Sequence, residues 1–239
     1  MVIATWNALA LPIELALEPE WTQSPTNGTL NAIIDFLFLI DIIVVFRTSI
    51  IGDNGEIVTN QKTIAIKYLK GSFTIDFLST IPLDSMAGIF LEEAMASKFK
   101  LFGCLKLIRV IRLNRIIRDM NAQSHIKVVL KLVKLTFFLM LYVHILSCLW
   151  YGIIRQDLLW SPPSNIIYEW QSTSLFDESL YYQYWICTYS SCLFLVGRDL
   201  HPRGYMQTTL GASINVFGMF VLSYLFGELA LLVRELNAR

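Results

Sequence analysis

Two uncharged stretches, residues 135–154 and 205–227, constrain the fold of this chain more than any other feature. They are 20 and 23 residues long, with His144 counted as neutral. A helix of about 20 apolar residues is long enough to cross the hydrocarbon core of a bilayer. Over the whole chain 55% of the residues are hydrophobic, which exceeds the usual content of soluble domains. The sequence therefore predicts an integral membrane protein.

The other apolar segments complete a membrane topology. Residues 181–194 are apolar and aromatic but too short to span, so we expect a re-entrant helix surrounded by protein. Residues 19–28 are expected to form a loop because they contain proline, asparagine and glycine. The four further predicted spans are residues 1–17, 31–46, 71–91 and a cationic segment that begins near residue 98. The count is six spans and one half-helix.

The cationic segment carries a basic residue at every third position. These residues are Lys106, Arg109, Arg112, Arg115 and Arg118. Each charge that crosses the membrane potential contributes about 2.3 kcal/mol per 100 mV, so the pattern predicts a voltage sensor. A basic helix lying on an anionic lipid surface is the alternative, but it would leave acids within the neighbouring spans without cations.

Those acids are the predicted countercharges. Asp35 and Asp41 lie in the second span and Asp76 in the third, where an unpaired carboxylate is costly. Phe38 is one turn from Asp41, and its ring could separate the two aqueous sides. The alternative for the acids is that some lie near an interface and are hydrated.

The distribution of charge predicts the orientation. Residues 98–134 contain ten Lys and Arg and one acid, and such an excess is typical of the cytosolic side. Positive charge confined to one segment argues against nucleic-acid binding. Both termini are then cytosolic, and Asn27, in an Asn-Gly-Thr pattern, is a glycosylation candidate if its loop is external.

No pattern typical of an enzyme is present. His125, His144 and His201 are scattered, without a second ligand at i+3 or i+4, and no glycine-rich phosphate loop or nucleophile elbow occurs. We expect no catalytic residue, no metal site and no cofactor bound by this chain.

Several motifs together resemble one family. They are Asp35-Phe-Leu-Phe-Leu-Ile-Asp41 with Phe46-Arg47-Thr48, Asp76-Phe-Leu-Ser-Thr-Ile-Pro82-Leu-Asp84, the helix with a cation at every third residue, and Cys148-Leu149-Trp150-Tyr151. The chain is similar in these to the membrane region of cyclic-nucleotide-binding-domain channels, namely the hyperpolarisation-activated, ether-à-go-go, plant potassium and cyclic-nucleotide-gated channels.

The resemblance implies an all-α tetramer with a voltage-sensor domain at 1–121 and a pore domain at 122–239. It implies a selectivity filter at Leu195, Val196, Gly197, Arg198 and Asp199, and an apolar gate at Leu222 and Phe226, although an ordinary packing stripe would look the same. A cyclic nucleotide could act only through a cytoplasmic domain that this chain does not contain. The plasma membrane is the expected location, with an organelle membrane as the alternative.

The filter departs from the pattern of that family. It lacks the aromatic residue and the second glycine of a potassium filter, and Arg198 stands where nonselective relatives often have an acid. Arg198 could pair with Asp199 and point away from the pore, the subunit could join a heterotetramer, or the pore could fail to conduct. The sequence thus predicts a voltage-sensing subunit for potassium, sodium or both. The alternative is a non-conducting subunit with a structural or regulatory role.

Overall fold

The computed structural model describes residues 2–51, 57–80, 124–162, 174–198 and 202–237. The chain divides into two compact units, Met1–Met120 and Asn121–Arg239, and each is described by itself. Apart from one small hairpin, the regular secondary structure of the described residues is helical. The predicted all-α membrane class is confirmed.

In the first unit, the described residues form four α-helices and a short hairpin. The helices are α1, Val2–Leu17; α2, Pro25–Val45; α3, Gln61–Lys70; and α4, Phe73–Thr80. The hairpin pairs β1, Ile50–Ile51, with β2, Ile57–Val58, in antiparallel register. Helix α4 packs against both α2 and α3.

The predicted loop at residues 19–28 is wrong in its second half. A 3₁₀ turn, Glu20–Gln23, leads directly into α2. Ser24 caps the helix by accepting a hydrogen bond from the Thr26 N–H at 3.4 Å, and Pro25 occupies the first turn, where its missing N–H costs nothing. Serine and proline are typical of both loops and helix starts, so composition alone misplaced the boundary.

Helix α3 was missed in the polar stretch between the second and third predicted spans. Asn60 caps its start by accepting from the Lys62 N–H at 3.0 Å, and Lys67 and Lys70 lie in its last turn. Cations there interact favourably with the helix dipole. Its inner face is made by Ile64 and Tyr68. One turn of apolar residues was too short a pattern to indicate a helix.

In the second unit, the part of the chain that is described contains three α-helices. These are α5, Ser124–Ile154; α6, Leu180–Leu195; and α7, Gly204–Asn237. Helix α6 packs on α5, and α7 contacts both. The predicted re-entrant segment is therefore a half-length helix of 16 residues held by two long ones. Helix α7 continues ten residues beyond the uncharged run, because its polar end still consists of good helix formers.

Three helices in the described part of the chain are long and apolar enough to cross a membrane: Pro25–Val45, Val128–Ile154 and Gly204–Asn237. Helix α1, with 16 residues, is shorter. Of the predicted third span only α4 is described, since residues 81–123 lie outside the described ranges. The predicted cationic helix falls in the same gap.

Candidate functional site

The buried face of α2 carries Phe38, the aromatic residue that is predicted to separate the two aqueous sides. Ile34, Phe38 and Ile42 are buried and recur every fourth residue, so they form one stripe along the helix. Asp35 and Asp41 flank that stripe: Asp35 is half-buried and Asp41 is exposed within this chain. The helix thus carries an aromatic ring on its buried face with a carboxylate about one turn away on either side.

Asp76 is the most deeply buried of the predicted countercharges. Its exposed fraction is 3%, and the Tyr68 hydroxyl donates a hydrogen bond to its Oδ2 at 2.8 Å. Ser79 Oγ and Thr80 Oγ1 donate to the Asp76 backbone carbonyl at 3.0 and 2.7 Å. Burying a carboxylate is costly unless it is hydrogen-bonded or paired. The hydrogen bond from Tyr68 meets that requirement at Asp76.

Aromatic rings fix the position of Tyr68. Its ring meets Phe46 edge-on at a centroid distance of 4.9 Å and Phe73 edge-on at 5.7 Å. Phe73 in turn stacks on Phe77 at 5.5 Å. Such pairs favour defined geometries. Sequence reasoning missed Tyr68, because only its packing reveals that it faces Asp76.

The predicted sensor cations Lys106, Arg109, Arg112, Arg115 and Arg118 lie outside the described residues, so their role stays a prediction. Asn27, the glycosylation candidate, lies in the first turn of α2. Its Nδ2 donates at 3.3 Å to Glu14 Oε1 and to the Thr22 carbonyl. The nitrogen that a glycan would occupy is thus engaged in joining α1 to the start of α2.

In the second unit, the start of α6 is fastened to α5 by a buried glutamine. Gln183 is 4% exposed; its Oε1 accepts from the Tyr151 hydroxyl at 3.0 Å, and its Nε2 donates to the Glu178 carbonyl at 2.6 Å. At the next residue of α6, the Tyr184 hydroxyl lies 2.8 Å from Nδ1 of His144, which is about two turns before Tyr151 on α5. These hydrogen bonds fix the position of α6 along the axis of α5.

The end of α6 is a glycine cap at the predicted filter. The Arg198 N–H donates to the Leu193 carbonyl at 2.9 Å and the Gly197 N–H to the Phe194 carbonyl at 3.0 Å. Gly197 has φ +72°, which glycine adopts without strain. This double hydrogen bond is a Schellman motif. Gly197 therefore ends the half-helix, and Leu195 and Val196 belong to its last turn.

Two predicted filter residues follow the cap. Arg198 is exposed, and Asp199 lies outside the described residues, so the predicted pairing of the two stays untested. Farther on, Arg203 Nη1 donates to the Leu159 carbonyl at 3.2 Å. The Arg203 guanidinium therefore lies at the start of α7 and is hydrogen-bonded to the loop that follows α5.

Phe194 of α6 contacts both α5 and α7. Its ring meets Trp150 of α5 edge-on at 4.7 Å. On α7, a Cβ built on Gly211 would lie 3.7 Å from the Phe194 ring, and one built on Gly218 would lie 3.4 Å from the Phe194 carbonyl oxygen. At both positions a Cβ would make ordinary van der Waals contact with Phe194, so α7 lies close to the end of the half-helix. At Gly227 a Cβ would meet nothing within 4 Å.

The predicted gate residues lie on one face of α7, one turn apart. Leu222 is half-buried, and Phe226 is 63% exposed in the single chain. Beyond them, Glu235 accepts hydrogen bonds from Lys131 Nζ of α5 at 2.8 and 3.1 Å. The far end of α7 is thus tied to the beginning of α5.

Comparison with known proteins gives one family and several relatives. The profile described as "Ion transport protein" matches residues 1–237. The potassium voltage-gated channel protein eag of Drosophila melanogaster is 31% identical over 71% of this chain and 14% of its own length. The human voltage-gated delayed rectifier potassium channel KCNH5 is 35% identical over 66% of this chain and 16% of its own length.

A third relative is the human voltage-gated inwardly rectifying potassium channel KCNH6, which is 37% identical over 56% of this chain and 13% of its own length. The chain thus spans about one seventh of the length of the relatives it matches. They are ion channels and not enzymes. The resemblance read from the motifs is confirmed.

Proposed function

The chain belongs to the ion transport protein family, and on that premise we propose that it is the membrane region of a voltage-sensing cation channel subunit. The second unit would form the ion pathway and the first would sense the membrane potential. The permeant ions would be potassium, sodium or both.

One observation carries this proposal: the half-length helix α6, which ends at the Gly197 cap between two long apolar helices. A helix of 16 residues rises about 24 Å and stops before it crosses a bilayer of ~30 Å. Backbone that ends at membrane depth is stable only where protein or a water-filled cavity surrounds it. A half-helix followed by a glycine-containing turn is therefore suited to present carbonyl groups to ions.

The sensing role is supported by the first unit. Asp76 has a buried carboxylate and lies in α4. This helix packs against α2, whose buried face carries Phe38. The sequence that follows has a cation at every third position from Lys106 to Arg118. Movement of those cations relative to Asp76, and to Asp41 and Asp35, would couple the membrane potential to the pore.

A tetramer in the plasma membrane is part of the proposal. On α6, Tyr181, Trp185 and Tyr189 recur every fourth residue and are 74%, 50% and 46% exposed in the single chain. A re-entrant helix requires protein on its free sides. Further copies of the subunit, or related subunits, would cover this face and enclose the pathway lined by Leu222 and Phe226.

Arg198 supports the second candidate function, a non-conducting subunit with a structural or regulatory role. It is exposed directly after the cap glycine. Four arginines around one axis would repel cations at the entrance of the pathway. A heterotetramer would dilute that repulsion.

Current recorded from cells that express the full-length protein tests both candidates. We expect a cation current that is larger in Arg198→Glu, with the neutral Arg198→Gln between it and the parent. If all three remain silent over a wide voltage range while a subunit with a glycine-tyrosine-glycine filter conducts, the non-conducting function replaces the channel. Separately, Arg112→Gln should lower the gating charge, and an unchanged gating charge would argue against the sensor.

A further inference from the structure

A tyrosine outside the predicted sensor contacts its most buried acid. The Tyr68 hydroxyl lies 2.8 Å from Asp76 Oδ2, and the two residues are 7% and 3% exposed. A hydrogen bond to a charged acceptor in such a site is stronger than one in water. The Tyr68 hydroxyl therefore makes a strong hydrogen bond with the Asp76 side chain.

The hydroxyl is held in that position by the ring that carries it. Phe46 at the end of α2 and Phe73 at the start of α4 both meet the Tyr68 ring edge-on. Tyr68 itself belongs to α3. The phenol is thus placed by three helices at once, and its direction depends little on the flexibility of any one of them.

Hydrogen bonds from Ser79 and Thr80 act on a different group of Asp76. Both hydroxyls donate to its backbone carbonyl, a type of bond that often bends a helix. Loss of either hydroxyl would perturb α4 while the hydrogen bond from Tyr68 to the carboxylate remained. This separates an effect on the helix from an effect on the charge.

We propose that Tyr68 is a positioning residue of the voltage sensor, whose hydroxyl holds the Asp76 carboxylate and weakens its attraction for the sensor cations. The proposal rests on the sensing function above. Without the hydroxyl, the Asp76 carboxylate becomes a stronger acceptor for a cation. The sensor position in which a cation faces Asp76 then gains population.

Gating currents of the full-length protein test this role. In Tyr68→Phe we expect an unchanged total gating charge and a shifted midpoint voltage, from a change of about tenfold in the equilibrium between sensor positions. Replacing Tyr68 with a fluorinated tyrosine makes the phenol a stronger donor at nearly the same size. It should shift the midpoint in the opposite direction.

Ser79→Ala is the matched control, because it removes a buried hydroxyl that bonds the same residue at its carbonyl, and we expect a smaller shift. If Tyr68→Phe does not reach the membrane, the fluorinated protein is compared with the parent alone, and an unchanged midpoint voltage would overturn the role of Tyr68. Equal midpoints, or shifts of the same sign for the two replacements, would overturn the role of Tyr68 alone. A parent protein without gating charge would overturn the sensing function and this role together.

Discussion

Gly218 of α7 lies against the carbonyl of Phe194, so closely that a Cβ at this glycine would be 3.4 Å from the oxygen. A methyl group fits at that distance, but a larger branched side chain does not. The pore-lining role proposed for α7 thus depends on a small residue where the helix passes the end of α6.

We expect Gly218→Ala to be tolerated and Gly218→Val to destabilise the protein by about 1–3 kcal/mol, the usual cost of overpacking. The reason is that the added methyls would press on the Phe194 carbonyl and the Leu195 Cα. Thermal unfolding in detergent measures the effect. Gly227→Val is the control, because a Cβ there meets nothing within 4 Å, and an equal loss in both variants would contradict the contact.

At Gly197 the backbone conformation, and not space, should decide which residues are accepted. Its φ of +72° makes Gly197→Ala cost about 1–2 kcal/mol, since a Cβ meets the following carbonyl in this region. Gly197→Asn should be less harmful, because asparagine is the other common residue at this helix-end position. Current amplitude and ion selectivity of the two variants provide the comparison, and identical behaviour would argue against the cap.

Gln183 and Tyr151 should contribute to stability as a coupled pair. In Gln183→Ala the buried hydrogen bond from the Tyr151 hydroxyl, which is 3.0 Å long, is lost, and removing one partner of a buried hydrogen bond costs about 1–3 kcal/mol. Tyr151→Phe in the same background removes the other partner of that hydrogen bond. The double variant should therefore be more stable than the sum of the single changes predicts, whereas additive losses in a thermal-unfolding cycle would rule out the coupling.

The ion pair between Lys131 and Glu235 should have a small effect. Both side chains are more than 40% exposed, and exposed pairs contribute about 0.2–1 kcal/mol. Lys131→Glu and Glu235→Lys should each shift the voltage dependence of opening, and the charge-swapped double variant should restore it. Raising the salt concentration on the cytosolic side should reduce the shifts; a swap that behaves like either single variant would show that the pair does not act.

Much of this fold could be predicted from the sequence, because each of the main helices corresponds to an apolar run. The long uncharged runs correspond to α5 and α7, and the short aromatic run to the half-helix α6. The sequence also singled out Asp76, since an acid within a span is uncommon, and the family resemblance singled out Gly197 as a predicted filter residue. The start of α2 and the whole of α3 escaped it, because their signals are single capping residues.

Amino-acid sequence alone thus determined the membrane class, the order of the segments and the residues whose charge is costly in a bilayer, because these follow from local composition and periodicity. Tertiary structure decided which residues act on them. Tyr68 with Asp76, Gly218 with Phe194, and Lys131 with Glu235 each join separate helices. The periodicity of a single segment does not predict such pairs, because the packing of one helix against another decides which residues come into contact.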